Sequence, residues 1–334
     1  MTEVDRRNFL MGAGIATAAA AAPAEASASF VREPKELPPQ AVGLLYDSTL
    51  CIGCKACVSA CKVANDMPPD VIPARLAQWN VNTWDSAEDL SGHTLNVIKA
   101  FRDGDGAQKD REVNGFAFVK RSCLHCIDPS CVSVCPVKAM RKDPVTGIVT
   151  HDPDACIGCR YCVFGCPFNV PQYDYTGAFG KIAKCQMCNH LQKQGKIPAC
   201  ADVCPTGATL FGPVRELEQE MARRLAAAPG DTYEFPRGKI GNNRPVNRAT
   251  VPTYVRHIYG EHEAGGTQMR FLSGVPFEKL GLPSLGDVSP ARYTEGMQHT
   301  LYHWMIAPVL AFLGFAFLAR RHMPREGGDD ATKS

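Results

Sequence analysis

The chain has 334 residues, 45% of them hydrophobic, so it can bury a sizeable core. Its 36 basic and 34 acidic side chains give a formal net charge of +2, which excludes a chain that is basic or acidic overall and shows no bias toward nucleic acid. Cysteine is the unusual component, because all 16 cysteines lie between Cys51 and Cys204.

Residues 1–28 are predicted to form an export signal. The pair Arg6-Arg7 precedes a weakly apolar, alanine-rich run, and "ASA" at 26–28 fits a cleavage site. Paired arginines resemble the twin-arginine type of signal, and the low hydrophobicity of the run favours that route over an ordinary secretory signal. The twin-arginine route exports folded proteins, which suits a chain that must receive a metal cofactor before export.

The cysteines form four groups of four in chain order, and every group ends in C-x3-C. Group 1 is Cys51, Cys54, Cys57 and Cys61; group 2 is Cys123, Cys126, Cys131 and Cys135; group 3 is Cys156, Cys159, Cys162 and Cys166; group 4 is Cys185, Cys188, Cys200 and Cys204. Proline follows the last cysteine of groups 2, 3 and 4, whereas Lys62 follows group 1.

The segments between the groups predict short hairpins. Between groups 1 and 2, "TLNVIKAF" and "GFAFVKR" flank a turn rich in glycine and aspartate. Trp79 and Trp84 precede this hairpin, where they could pack in the core or form a docking surface for a partner. Between groups 2 and 3, "MRKDPVTGIVTHD" places a turn at Asp143–Gly147 between two extended runs. A two-cluster ferredoxin unit has such a hairpin between its two cysteine loops.

Beyond group 4, the sequence predicts an amphipathic helix over 213–228, because Leu217, Met221 and Leu225 recur at helical spacing. An extended tail then runs to residue 298. It contains His262 between two glutamates, as either a metal ligand or, more simply, a solvated loop residue.

A membrane anchor is predicted over 301–320, because 301–319 lacks Asp, Glu, Lys and Arg and a helix of that length would span roughly 28 Å. Pro308 leaves open a buried helix of a soluble domain. The arginines that follow the anchor, Arg320, Arg321 and Arg325, predict a cytoplasmic tail over 321–334 and a periplasmic position for residues 29–298. His303 lies at the periplasmic edge, where it could assist quinone protonation, ligate haem or have only an interfacial role.

Three chemistries could use the thiols. Disulfides suit an exported protein, but three cysteines within seven residues suit a loop around one centre better. Zinc would require two C-x2-C pairs separated by a loop, which only group 4 resembles. The run C-x2-C-x2-C-x3-C-P in group 3 is the bacterial ferredoxin signature, in which three cysteines bind one [4Fe–4S] cluster and the fourth binds the neighbouring cluster.

The resulting fold class is α+β, with two ferredoxin-like two-cluster units in a domain over 41–212. Unit B spans 117–172 and joins groups 2 and 3; unit A combines 43–62 with 181–212; residues 63–116 are an insertion. "GLLYD" before group 1 and "ATLFG" after group 4 are the expected outer strands of unit A.

Exchange of the last cysteines between paired groups predicts four ligand sets. These are Cys51, Cys54, Cys57 and Cys204 for cluster 1; Cys123, Cys126, Cys131 and Cys166 for cluster 2; Cys156, Cys159, Cys162 and Cys135 for cluster 3; and Cys185, Cys188, Cys200 and Cys61 for cluster 4. Backbone amides at Gly53 and Gly158 and the cations of Lys55, Arg160 and Lys184 are candidates for tuning cluster potentials.

The motifs "DRRNFL", "LLYDSTLCIGCKACVSACK", "CLHCIDPSCVSVCPVKAM", "CIGCRYCVFGCPFNVPQYDY" and "KCQMCNH" resemble the four-cluster ferredoxin subunits of membrane-bound oxidoreductases. With "HIYGEHEAGGTQ", "LSGVPFEKLGLP" and "QHTLYH", the resemblance is closest to the ferredoxin-like subunit of hydrogenase-2 type periplasmic [NiFe] hydrogenases.

The resemblance implies a subunit that is not catalytic by itself and relays electrons between two partners. One partner is the small subunit of a hydrogenase, which is bound to the large subunit, and the other is a polytopic quinone-reactive membrane subunit. Two alternatives remain open from the sequence. One is the same relay in a molybdopterin enzyme such as a formate dehydrogenase, and the other is an exported binding protein stapled by zinc or disulfides.

Overall fold

The computed structural model describes residues 31–68, 89–175, 180–241 and 245–322. The export signal predicted for 1–28, the two tryptophans of the insertion and the tail from 323 onward lie outside these ranges. The chain divides into two compact units. One is Pro34–Ala291, and the other consists of the residues up to Glu33 together with those from Arg292 onward.

Short strands, several of them consecutive, and mostly short helices make up the described ranges, which confirms the α+β class. The strands are β1 (Val42–Asp47), β2 (Asn96–Arg102), β3 (Gln108–Lys109), β4 (Gly115–Ser122), β5 (Met140–Lys142), β6 (Val149–His151), β7 (Gln172–Tyr173), β8 (Ile182–Ala183), β9 (Thr209–Pro213), β10 (Thr232–Pro236), β11 (Gly238–Lys239), β12 (Val246–Thr250) and β13 (Met269–Leu272). The helices are α1 (Ala56–Ala64), α2 (Ser130–Ser133), α3 (Tyr161–Phe164), α4 (Asn189–Gln192), α5 (Ala199–Asp202), α6 (Val214–Ala226) and α7 (Pro290–His322), with a 3₁₀ turn at Glu263–Gly265.

The central sheet has the order β11-β9-β1-β13 and brings the two ends of unit A together. β1 and β9 pair antiparallel, with Leu44 opposite Phe211, so "GLLYD" and "ATLFG" form strands of this unit as predicted, although they are the inner and not the outer strands of the sheet. β13 pairs parallel to β1 on its other side, with Leu44 opposite Met269. The extended tail predicted after the helix therefore contributes a strand of the central sheet, a pairing that the sequence did not predict.

The insertion forms the predicted hairpin, in which β2 and β4 pair antiparallel and Lys99 lies opposite Val119. The predicted hairpin between groups 2 and 3 is also confirmed, as β5 and β6, with Met140 opposite His151. The predicted unit borders cut through two strand pairs, however. β4 begins unit B but pairs with the insertion, and β7 at the end of unit B pairs with β8 of unit A.

Helix α6 confirms the amphipathic helix predicted after group 4. Pro213 precedes it, and Leu217 and Met221 are buried against Leu45 and Leu210 of the central sheet. An acidic residue in its first turn and arginines in its last turn complement the helix dipole. The helix therefore covers one face of the sheet whose strands adjoin groups 1 and 4.

The C-terminal helix α7 is 33 residues long and contains Pro308, together with His303. No helix in the described part of the chain combines the length and the apolar character needed to cross a membrane. The anchor predicted for 301–320 is thus not confirmed.

Candidate metal centre: four cysteine quartets

All sixteen cysteines fall within the described residues, and each of them is a free thiol in the structure. They are not gathered by their order in the chain. Each cluster of thiols combines three cysteines of one group with the last cysteine of another, and we name these sets quartets 1 to 4 after the predicted clusters 1 to 4.

Quartet 1 lines a cavity of about 330 Å³, which Cys51, Cys54, Cys57 and Cys204 all border. Tyr46 on β1 also lines this cavity. Cys51 and Cys54 lie in the loop after β1 and Cys57 lies in the first turn of α1, whereas Cys204 lies between α5 and β9. Because β1 and β9 are paired, the cysteines that adjoin these strands are held at the same end of the sheet.

Quartet 3 lines a second cavity of about 290 Å³ with Cys135, Cys156, Cys159 and Cys162. The hairpin β5–β6 connects the two groups that supply it, and Met140 on β5 donates its backbone N–H to the sulfur of Cys135 at 3.4 Å. The hairpin therefore positions the one cysteine that the loop itself does not supply.

The members of quartets 2 and 4 are identified by the electrostatic effect of each thiol on the pKa of its neighbours. The pKa of Cys126 is raised by burial and then by Cys166, Cys131 and Cys123, which together complete quartet 2. For quartet 4, the pKa of Cys61 is raised by burial and then by the other three members, Cys185, Cys200 and Cys188. The members of each predicted set thus lie near one another in the structure, and the assignment of four ligands to each cluster stays a prediction.

The loops CIGCK and CIGCR adopt the same backbone conformation around quartets 1 and 3. Gly53 and Lys55 have φ values of 68° and 57°, and Gly158 and Arg160 have 69° and 64°. In the first loop the N–H of Gly53 donates to the sulfur of Cys51 at 3.5 Å. A side chain at Gly53 would also collide with the ring of Phe118, since a Cβ there would lie 2.5 Å from it. Glycine is thus required at this position both for its positive φ and for the close approach.

Comparison with known proteins gives these quartets a chemical identity. A 4Fe-4S dicluster domain model matches residues 115–214, and a 4Fe-4S binding domain model matches residues 44–64. The chain is 45% identical over 336 residues to the hydrogenase-2 operon protein HybA of Escherichia coli O157:H7, covering 98% of this chain and 99% of that protein. The chain belongs to the HybA family.

More distant relatives of this HybA-family chain include the B subunit of the anaerobic dimethyl sulfoxide reductase of Escherichia coli K12. It is 36% identical over 213 residues, which cover 62% of this chain and 93% of that protein. The same subunit from Haemophilus influenzae is 35% identical over 188 residues, 56% of this chain and 81% of that protein. These matches extend over less of the chain than the match to HybA does.

The chemistry of the thiols fits iron–sulfur clusters in this HybA-family protein. Burial raises the pKa of Cys57 to about 12 against the opposing charge of Lys120, and burial and then neighbouring thiolates raise that of Cys162 to about 11. Four thiolates so close together and so poorly solvated require compensating positive charge. The iron of a [4Fe–4S] core supplies it, and thiolate is the ligand type that such clusters use.

Single-ion sites of other kinds are not apparent. Within the described ranges, no three His, Cys, Asp or Glu side chains are arranged to hold one metal ion. The candidate His262 is exposed, and Glu263 instead binds His257 at 2.6 Å and accepts the N–H of Gly260. The solvated interpretation of His262 is therefore favoured.

Positive charge lies next to the quartets, partly where the sequence indicated. Lys184 is 3% exposed, donates to the backbone oxygens of Val149 and Cys185, and acts on quartet 2 through Cys131. Arg160 borders quartet 3, and its guanidinium packs over the ring of Tyr173. Lys55 borders quartet 1.

Sequence reasoning missed two further lysines. Lys142 donates to the backbone oxygen of Cys126 at 2.9 Å, and burial lowers its pKa to about 8. Lys120 on β4 is 1% exposed and lies beside Cys200 and Cys57. The only sequence signal for Lys120 was its place in a strand that is otherwise rich in apolar residues.

The four quartets are neighbours in the order 1, 4, 2, 3. The negative charge of Cys200 in quartet 4 raises the pKa of Cys57 in quartet 1. In the same way, Cys123 of quartet 2 raises the pKa of Cys185 in quartet 4. Cys162 of quartet 3 in turn raises the pKa of Cys131 in quartet 2. In this HybA-family chain, quartet 1 therefore adjoins quartet 4, quartet 4 adjoins quartet 2, and quartet 2 adjoins quartet 3.

Proposed function

We propose that this chain is an electron-transfer subunit that carries four [4Fe–4S] clusters, one held by each quartet, and passes electrons along the row 1, 4, 2, 3. The observation that carries the proposal is that consecutive quartets adjoin each other through neighbouring cysteines. Catalysis belongs to partner subunits, and this chain connects them.

The partners in this proposal are the small and large subunits of a periplasmic [NiFe] hydrogenase at one end of the relay and a polytopic quinone-reactive membrane subunit at the other. The support is the full-length similarity to a hydrogenase-2 operon protein. A relay in a molybdopterin enzyme is the second candidate, favoured by the similarity to the B subunit of dimethyl sulfoxide reductase. That similarity covers 62% of the chain against 98%, so the hydrogenase is preferred.

The cluster count has a direct chemical test. Protein purified without oxygen should contain about sixteen iron and about sixteen acid-labile sulfide atoms per chain, because each cluster has four of each. Iron analysis, sulfide analysis and zinc analysis of the same sample make the measurement. Half of that iron in a preparation with full relay activity would contradict four clusters, and stoichiometric zinc would favour the stapled binding protein.

We also propose that the chain is exported by the twin-arginine route and is held at the periplasmic face of the inner membrane by residues 301–320, with its C-terminus in the cytoplasm. The support for anchoring is that large apolar side chains of α7 are exposed along its length: Leu301, Met305, Ile306, Val309, Leu310, Phe312, Leu313, Phe315, Phe317 and Leu318. Burial of that surface in lipid would remove it from water.

Replacing Arg6 and Arg7 together by lysine should leave a cluster-loaded precursor in the cytoplasm. The reason is that the paired arginines are the recognised part of such a signal. Cell fractionation followed by immunoblotting and iron analysis measures the outcome. Normal periplasmic delivery of this variant would contradict the twin-arginine proposal.

A truncation after residue 300 serves as the matched variant, because it retains the signal and removes the apolar helix. It should be exported, carry its full iron and appear in the soluble periplasmic fraction. If the truncated protein still sediments with membranes when expressed without its partners, residues 301–320 are not the anchor.

A further inference from the structure

A lysine from the insertion hairpin reaches the centre of the cluster domain. Lys120 lies on β4, next to the row of thiols, and is 1% exposed. Its ammonium group is 3.5 Å from the hydroxyl oxygen of Thr209 on β9, a residue that lines the cavity of quartet 1. The hairpin between cysteine groups 1 and 2 thus delivers a cation to a position that the cysteine loops do not provide themselves.

The charges that surround Lys120 belong to two quartets. Its ammonium group interacts electrostatically with Cys57 of quartet 1 and with Cys200 and Cys185 of quartet 4. No ion pair within the described ranges joins Lys120 to a carboxylate, whereas the buried Arg224 is paired with Asp47. The position of Lys120 is therefore at the junction of quartets 1 and 4, with thiolates as its anionic neighbours.

Other lysines near the thiols differ in their surroundings; the buried Lys62, which follows Cys61, donates to the backbone oxygens of Pro68 and His93. Lys184 is held by backbone oxygens and acts on quartet 2, and Lys142 is held in the same way beside Cys126. Each of the two acts on quartet 2, whereas Lys120 acts on quartets 1 and 4 together. This separation makes the effect of Lys120 distinguishable from that of the rest.

We propose that Lys120 raises the reduction potentials of the clusters held by quartets 1 and 4 together, by nearly the same amount. The inference rests on the proposed function, since it requires clusters in both quartets. One electron leaves one cluster, which is oxidised, and enters its neighbour, which is reduced.

The physical basis is electrostatic. A cluster held by four thiolates carries net negative charge, and reduction adds one more negative charge. A buried cation stabilises that added charge strongly because little water screens it. Since Lys120 adjoins both quartets, its removal should lower both potentials together and leave the difference between them little changed.

Lys120→Met tests the proposal, because methionine approximates the length of the side chain without its charge. In redox titrations of the whole protein followed by electron paramagnetic resonance, two of the four reduction steps should shift to lower potential. Each shift should correspond to about a tenfold change in the reduced-to-oxidised ratio, about 59 mV for a one-electron couple. The remaining two steps should stay at their original potentials.

Lys99→Met is the matched control, since it removes a lysine from the paired strand β2, where Lys99 is partly exposed and bound to Asp89. It should leave all four steps unchanged. Four unchanged steps in a fully iron-loaded Lys120→Met protein would overturn the proposal, and so would an equal shift of all four.

Lys120→Arg keeps the test decisive if the methionine variant does not retain its clusters. An arginine variant that retains its clusters with potentials close to the original supports a requirement for charge. An arginine variant that also lacks clusters would show that the lysine shape, not its charge, is needed, and the electrostatic role would be wrong. Iron content of the unmodified protein separates these results from failure of the four-cluster proposal itself.

Discussion

Cys204→Ala should remove the cluster of quartet 1, although Cys204 belongs by sequence to the fourth cysteine group. It lines the same cavity as Cys51, Cys54 and Cys57, so the spectrum that changes should be the one assigned to those three cysteines. Loss of outer-shell partners alone typically costs about 10- to 100-fold in metal affinity or activity, and a lost ligand should cost at least as much. Hydrogen-dependent quinone reduction should therefore fall by at least that factor.

Two assays distinguish a role in electron transfer from a role in catalysis. Hydrogen oxidation with a dye that accepts electrons at the catalytic subunit should persist, because this chain carries no catalytic group in the proposal. Val203→Ala is the control, since Val203 is the adjacent residue, is 40% exposed and carries no thiol. It should leave both activities and all cluster spectra unchanged.

Three outcomes would contradict the proposed relay in different ways. A spectral change confined to the cluster of Cys185, Cys188 and Cys200 would show that the last cysteines are not exchanged between groups. Loss of both activities in an intact complex would mean that the chain takes part in catalysis. Unchanged quinone reduction with a cluster missing would exclude the relay.

The sequence predicts the cysteine quartets well because their geometry is largely local. Three members of quartet 1 lie within seven residues, and the fourth follows from the pairing of two short strands beside the cysteine groups. A glycine with positive φ inside each CIGC loop is a similarly local requirement. Such features depend on neighbours in the chain and on one strand pair.

Features that depend on distant packing were not predictable in the same way. The strand Met269–Leu272 pairs in parallel with β1 across more than 200 residues, and nothing in its own sequence specifies that partner. Lys120 is a charged residue at the end of an apolar run, and its burial follows from the position of its strand beside the quartets. Tertiary contacts decided both positions.

The fold around quartet 1 also depends on a buried network of charges. Asp47 ends β1 four residues before Cys51, is completely buried, and accepts hydrogen bonds from Arg224 at 2.9 Å and Tyr254 at 2.8 Å. Arg224 on α6 is also bound by Glu220 at 2.9 Å. The network therefore joins α6 to the strand that leads into the first cysteine loop.

Asp47→Ala should be the most destabilising substitution outside the thiols. It leaves the buried guanidinium of Arg224 with one carboxylate partner and leaves the hydroxyl of Tyr254 without its acceptor, and breaking a buried pair in this way costs about 3–5 kcal/mol. A loss of about 3 kcal/mol should lower the apparent melting temperature of the cluster-loaded protein by at least about 6 °C. Circular dichroism at one fixed scan rate measures the change.

The comparison with a surface pair shows whether burial is the cause. Asp89 binds Lys99 where both side chains are partly exposed, at 51% and 35%, so Asp89→Ala should cost less than about 1 kcal/mol. Asp47→Asn separates charge from shape, because asparagine keeps an oxygen acceptor for Tyr254 but carries no charge. If charge dominates, the asparagine variant should melt close to the alanine variant. Equal melting temperatures for Asp47→Ala and Asp89→Ala would show that the network adds little to stability and that sheet and helix packing alone hold the first cysteine loop.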